Sequence, residues 1–187
     1  MSEKRVIVLT GPAGAGKTSI ATYLKEKWGI PQVITHTTRA KRTGEVDGVD
    51  YYFETEESFP KNHYLESVHY GQANYGSSIE GLEKAWQENS FASIVLDTKG
   101  AETYLSVLKE QAWVWYVTIQ DLDKLEKRLV ERGDHESEVK KRLNSAEFRR
   151  DLTLPKELAG HAEVLVNDEW QLTCQRVDTL IKGSKHS

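Results

Sequence analysis

A chain of 187 residues with 38% hydrophobic and 29% charged residues and a mean hydropathy of −0.60 has room for one domain with a sizeable core, or one domain carrying inserted subdomains. Its net charge of −4 excludes general polyanion binding by a basic surface, nucleic acid included, so any anion site has to be local. A single cysteine, Cys174, rules out an internal disulfide, no Cys/His group has zinc-ligand spacing, the four-residue apolar run before Thr10-Gly11 is too short for a secretory leader, and the longest apolar run, Ala112–Val117, is too short for a membrane span, which together predict a cytoplasmic chain with no membrane partner.

The first element is a short apolar run, Val6-Ile7-Val8-Leu9, that reads as a buried strand. Gly11-Pro12-Ala13-Gly14-Ala15-Gly16-Lys17-Thr18 follows it, a complete G-x4-G-K-[ST] phosphate-binding loop, and Thr18–Trp28 then reads as an amphipathic helix. Glycines let the backbone curl until successive N–H groups face phosphate oxygens, the helix N-terminus adds its positive dipole end, and Lys17 adds a mobile cation. Thr18 is placed to ligate magnesium.

Further apolar runs recur at Gln32–Ile34, Ile94–Leu96, Val114–Val117 and Val164–Val166. Helical patterns at Gly100–Lys109, Asp121–Glu131 and Trp170–Ile181 separate them, and this alternation predicts an α/β fold with a parallel sheet covered by helices on both faces. Asp121 is the expected N-cap before Leu122, Leu125 and Leu129, whose spacing marks one buried face. Two segments break the rhythm. Residues 35–89 are too long for a crossover and hold strand-like pieces at Tyr51–Phe53 and Tyr64–His69 plus a helix at Ile79–Glu88, so they read as an inserted subdomain. Residues 132–160, opening on Gly133-Asp134 and dense in both charge signs, read as a mobile helical lid. The core is then 1–34, 90–131 and 161–187.

From the residues alone, the functional candidates remain open. Arg39, Arg42 and Tyr51 could converge on a phosphate or form a solvated basic loop. Glu66 could be an exposed strand residue, Ser77 a helix N-cap before Ile79, and Asp97 a turn residue at the end of Ile94-Val95-Leu96 or a carboxylate organising magnesium through water. Arg128 and Arg132 are four apart and suit a salt-bridged helix face with Glu131, Asp134 and Glu136. Trp86, Trp113, Trp115 and Trp170 are expected to pack. His36, His63, His69, His135, His161 and His186 show no partner pattern and are given no catalytic part.

One family ties these candidates together. T-T-R-x-x-R-x-G-E-x-x-G-x-D-Y-x-F over 37–53, joined to G-P-x-G-A-G-K-T over 11–18, resembles the guanylate kinases. The resemblance continues through Glu66, Asn74-Tyr75-Gly76-Ser77, Leu96-Asp97, Gly100, Arg128-x3-Arg132-Gly133, Lys141-Arg142-Leu143 and Val166-Asn167-Asp168, in order and over essentially the whole chain. It implies a P-loop NTPase fold with a GMP-binding insertion and a helical lid, and transfer of the γ-phosphoryl group of ATP to GMP with magnesium. By that resemblance Gly11 to Ser19 and Asn167 hold ATP, with Asn167 near the adenine, while Lys17, Arg128, Arg132 and Arg142 act on the transferring group. Arg39, Arg42, Tyr51 and Tyr75 hold the GMP phosphate. Glu66 faces guanine N1–H and the 2-amino group, Asp97 assists at the amino group and reaches magnesium through water, and Thr35 and Ser77 donate to O6. The implied partners are nucleotides, ATP and GMP with dGMP left open, and no obligate protein.

Two other readings share parts of this pattern. A kinase for another small phosphorylated acceptor would keep the loop and lid without the guanine-reading set, and a noncatalytic phosphopeptide-binding module of guanylate kinase type would carry a degraded loop. Departures from the family pattern are Lys41 in place of proline, Val95 in place of an acid two residues before Asp97, Gln72-Ala73-Asn74 before Tyr75, and Thr35 in place of serine.

Overall fold

The computed structural model describes residues 3–133 and 135–184; Asp134 and His186, weighed above, lie outside them. In chain order the elements begin with β1 (Arg5–Thr10), α1 (Lys17–Trp28), β2 (His36–Thr37), β3 (Tyr52–Phe53), β4 (Tyr64–Tyr70), β5 (Ala73–Ser78) and α2 (Ile79–Glu88). They continue with β6 (Phe91–Val95), α3 (Thr98–Leu108), β7 (Ala112–Thr118), α4 (Asp123–Glu131), α5 (Glu136–Leu143), α6 (Ala146–Asp151), β8 (Ala162–Val166) and α7 (Trp170–Ser184).

Strand β1 reads as continuously apolar because it is buried on both faces. It lies inside a four-stranded sheet of order β6-β1-β7-β8, parallel throughout. Ile7 and Leu9 pack with Ile20, Leu24, Val177 and Ile181 of α1 and α7, whereas Val6 and Val8 pack with Leu82, Ala101 and Tyr104 of α2 and α3. The expected strand at Gln32–Ile34 is reduced to one parallel bridge, Gln32 to Ser93. Ser93 N–H donates to Pro31 C=O at 2.9 Å and Val33 N–H to Ser93 C=O at 2.8 Å before the chain leaves for the insertion.

A second sheet, of order β3-β2-β5-β4, forms within the insertion. Strand β5 was not foreseen as a strand because Ala-Asn-Tyr-Gly-Ser-Ser has little β-preference of its own. Tertiary pairing makes it one: it runs antiparallel to both β4 and β2. Gly76 is required where the Tyr64 ring crosses it, since a Cβ there would come within 2.6 Å of the ring.

Two helix starts shift from expectation. Helix α4 begins at Asp123, and Asp121 caps from outside it by accepting from Asp123 N–H at 3.1 Å. Leu125 and Leu129 are buried as expected, but Leu122 precedes the helix, is not held to its phase, and is 49% exposed. Helix α3 begins at Thr98, because the Asp97 carboxylate accepts from Gly100 N–H at 2.7 Å as its N-cap. Among the described residues no helix is long and apolar enough to cross a membrane.

Helices α1 and α7 are joined by one carboxylate. Asp178 accepts from Lys27 Nζ at 2.6 Å, Trp28 Nε1 at 2.9 Å and Tyr23 Oη at 3.0 Å. Burial alone would raise its carboxyl, but these donors outweigh burial and hold it below the ordinary 3.8. A carboxyl lowered on folding stabilises above its unfolded value and loses that contribution as pH falls through its folded value. Asp178→Asn should therefore lower Tm at pH 7, and the gap to the parent protein should close below about pH 4. Thermal unfolding between pH 7 and pH 3 tests this; a pH-independent gap would show that the charge is irrelevant.

Candidate active site

The glycine-rich loop is shaped by close backbone approach. Gly11 (φ +131°) and Gly16 (φ +101°) occupy the left-handed region, and a Cβ would collide with the Val117 carbonyl at the first and the Asn167 amide at the second. Helix α1 starts at Lys17 without a side-chain cap, so its N-terminus faces the loop's interior as a donor surface. Lys17 Nζ donates to the Gly11 carbonyl. Burial lowers this ammonium to about 8, Asp151 and then Asp97 act to raise it, and Arg132 and Arg142 act to lower it. The structure thus gathers two expected lid arginines and two carboxylates around the lysine.

Arg128 and Asn167 serve the loop itself. Arg128 Nη2 donates to Asn167 C=O at 2.8 Å, and its Nη1 lies 3.5 Å from Gly14 C=O. Asn167 is buried; its Nδ2 donates to Ala15 C=O at 2.8 Å and its Oδ1 accepts from Thr173 Oγ1 at 2.8 Å. Both ends of the Asn167 amide are therefore committed, the nitrogen to the loop at Ala15 and the oxygen to Thr173 of α7. Beside them opens a cavity of about 1010 Å³ lined by Lys17, Thr18, Ser19, Arg132, Tyr23 and Trp170, among others. Trp115 is fully buried and Trp86 Nε1 bonds to Arg5 C=O at 2.8 Å, as packing residues do. Trp170 departs from that expectation: it is 43% exposed on the cavity wall, edge-on to Tyr23 at 5.9 Å.

Residues 35–89 contribute to two clusters. In the first, Arg39 makes a forked pair with Glu45 at 2.7 and 3.1 Å while lying over the Tyr51 ring at 5.4 Å. Tyr75 sits 6.4 Å from Tyr51, and Arg42 N–H donates to Glu45 at 2.8 Å. The hydrogen bond from Arg39, then that from the Arg42 backbone, lowers the Glu45 carboxyl. Glu45, given no role from sequence, presents to Arg39 the two-oxygen edge that a phosphate would.

In the second cluster, Tyr104 Oη donates to Ser77 Oγ at 2.8 Å and Ser77 Oγ donates to Glu66 Oε1 at 3.2 Å. Burial raises the Glu66 carboxyl, and the Asp97 charge adds to the rise. Ser77 is not the cap of α2; Ser78 is, accepting from Gly81 N–H at 3.0 Å. Tyr104 was missed because its place on α3 reads as plain core, and only its fully buried hydroxyl marks it. Thr35 lies half-buried at the mouth of β2, its carbonyl accepting from Tyr52 N–H at 2.9 Å.

Among the described residues no three His, Cys, Asp or Glu gather as a metal nest. The donor set around the loop suits a magnesium ion that keeps most of its waters and leans on phosphate oxygens. Thr18 fits that need at the start of α1. Asp97 carries the Arg150 guanidinium at 3.1 Å and keeps an exposed edge.

A parallel α/β core, a glycine-rich loop backed by a half-buried lysine, and a second sheet beside a forked arginine and a half-buried carboxylate define the class of nucleotide-handling loop proteins. The guanylate kinase family profile matches residues 3–184. The guanylate kinase of Enterococcus faecalis is 31% identical, covering 100% of this chain and 92% of that protein. That of Bacillus cereus is 30% identical over 95% of this chain and 87% of its own length. Guanylate kinase 1 of rice is 33% identical over 95% of this chain, which spans about half of it, 48%. In fold, the chain is similar to the guanylate kinase crystal structure from Anaplasma phagocytophilum, with a TM-score of 0.68 at 22% identity over 100% of this chain and 89% of that one. The chain belongs to the guanylate kinase family.

Glu66 gives a stability test independent of turnover. A carboxyl raised on folding destabilises the fold as pH rises through its unfolded and then folded values, so at neutral pH the ionised group is a burden. Glu66→Gln keeps an acceptor for Ser77 and removes the charge. Its Tm should rise by about 1–3 °C at pH 7 and by nothing at pH 3.5, read by calorimetry at both pH values; a loss at pH 7 would refute the burial account.

Proposed function

We propose that this chain transfers the γ-phosphoryl group of ATP to GMP, giving ADP and GDP. The observation that carries the reading is the pairing of an intact loop around half-buried, desolvated Lys17 with a separate half-buried carboxylate, Glu66, held by Ser77 and Tyr104. A kinase for another acceptor has no use for the second feature, and a phosphopeptide module has none for the first.

GMP is the acceptor of residues 35–89. Arg39 and Arg42, with the Tyr51 and Tyr75 phenols, hold the monophosphate, and Glu45 keeps the Arg39 fork spread before it arrives. Glu66 takes guanine N1–H and the 2-amino group, with Asp97 at the same amino group. Tyr104 fills an acceptor site of the Ser77 oxygen, which frees the Ser77 proton for guanine O6 once guanine's own donors replace it on Glu66; Thr35 completes the O6 side. Adenine offers no matching donor pair, and a wrong edge would leave the half-buried Glu66 unpaired.

ATP is the donor of the core, residues 1–34, 90–131 and 161–187. Residues 11–19 wrap its phosphates, Asn167 and Arg128 act on it by bracing the loop, and Lys17, Arg132 and Arg142 offset charge as the phosphoryl group moves. Magnesium, held by Thr18 and through water by Asp97, would neutralise phosphate charge and fix oxygen positions. The protein's part is placement and charge neutralisation, with no covalent intermediate, and the lid at 132–160 excludes the water that would hydrolyse ATP. The lone cysteine suits work in the cytoplasm.

Two variants separate the halves of the site. Lys17→Ala should cut transfer by about a thousandfold or more while calorimetry still detects GMP binding; loss of both in a folded variant would defeat the division. Arg39→Ala should remove charge-assisted bonds of about 1.5–3 kcal/mol, raising the KM for GMP by about 10- to 150-fold and leaving that for ATP unchanged. Steady-state kinetics with each nucleotide varied decides it, and equal weakening of both would reduce Arg39 to a structural part.

A further inference from the structure

Two adjacent residues of α6, Arg150 and Asp151, have no part in the mechanism above, yet they grip the segment Asp97-Thr98 from both ends. Arg150 Nη2 donates to Asp97 Oδ2 at 3.1 Å and its Nε to Asp151 Oδ1 at 3.0 Å. Asp151 Oδ1 also accepts from Thr98 Oγ1 at 2.5 Å, and the Asp151 carbonyl accepts from Tyr116 Oη at 2.7 Å. The Asp151 side chain is only 10% exposed. An isolated exposed ion pair contributes little, but Arg150 is not isolated, because buried Asp151 fixes its guanidinium before it meets Asp97.

The consequence falls on the Asp97 carboxylate. One oxygen is held by Gly100 N–H at 2.7 Å and the other by Arg150, so its plane is set by two donors. Each oxygen keeps a second lone pair, and the side chain is 45% exposed, which leaves an edge for a further donor. Asp97 also acts electrostatically on Glu66. Two carboxylates sharing one base edge repel each other, and a guanidinium on one of them offsets that repulsion.

We propose that Arg150 is a positioning residue that aims Asp97 at the 2-amino group of the acceptor purine, and thereby sets the preference for guanine over a purine that lacks this group. The inference rests on the base-reading role given to Asp97 above. It places a determinant of base choice on α6, within the segment read as a lid and away from the insertion that carries the rest of the base pocket.

Inosine monophosphate, which is GMP without its 2-amino group, is the probe. With ATP saturating, the parent protein should prefer GMP to inosine monophosphate in kcat/KM. Arg150→Met should lower kcat/KM for GMP about tenfold, through KM, and that for inosine monophosphate less than about twofold, because the second acceptor has no amino group to lose. Arg150→Lys, whose single ammonium cannot span both carboxylates, should give an intermediate preference. Asp97→Asn alone should narrow the preference, and Arg150→Met added to it should narrow it no further. A fall by the same factor on both acceptors, an unchanged preference, or continued narrowing in the Asp97→Asn background would each overturn the proposal. If Arg150→Met does not fold, Arg150→Lys decides it alone, an unchanged preference being the overturning result. A parent protein that does not distinguish the two acceptors would instead overturn the base-reading role of Asp97 itself.

Discussion

The rest of the site depends on a partly desolvated ammonium. Lys17 is placed where desolvation works against its charge, and it stays there because the loop around it is fixed from outside. Gly11 approaches the Val117 carbonyl, so the loop is pressed against the end of β7. Asn167, at the end of β8, bonds to Ala15 C=O, and Arg128 on α4 ties Asn167 to Gly14. Three neighbours of the loop therefore position it, and a bound polyphosphate would offset the desolvation that works against the lysine's charge.

Much of this was legible in the sequence where local chemistry and the tertiary outcome agree. The Val6–Leu9 run, the loop and the helix after it are each dictated by short-range rules, and α2 begins and ends where its pattern says. Legibility fails where a residue is recruited by a distant partner. Strand β5 exists because β2 and β4 flank it, and Gln32–Ile34 shrinks to a bridge because only Ser93 meets it. The same holds for the site. Motif spacing singles out Arg39 and Glu66, but Tyr104 reads as core, and nothing local says that its hydroxyl ends on Ser77 twenty-seven positions away.

The groups that would read the acceptor are those least comfortable in the fold. Glu66 is held ionisable in a place that disfavours its charge, and Asp97 adds repulsion. Arg39 is satisfied meanwhile by Glu45, an intramolecular carboxylate that a dianionic phosphate can outcompete in charge. One cluster thus stores unfavourable electrostatics that a ligand with two N–H donors relieves, and the other holds a ready cation on a weaker anion. Both arrangements favour the bound state without requiring new secondary structure.

The Asp97-Thr98 junction shows how a short stretch can link parts that are far apart in sequence. Asp97 ends the β6 segment, caps α3 through Gly100, bears on Glu66 through space and is bound by Arg150; Thr98 is bound by Asp151. Its neighbour two residues back is Val95, where the family pattern carries an acid, and the carboxylate that bears most strongly on Lys17 is Asp151 from α6. The strongest negative charge on the lysine thus comes from α6 and not from β6. On that one element the two tasks fall to different residues: Asp151 bears on the lysine, and Arg150 holds the free edge of Asp97.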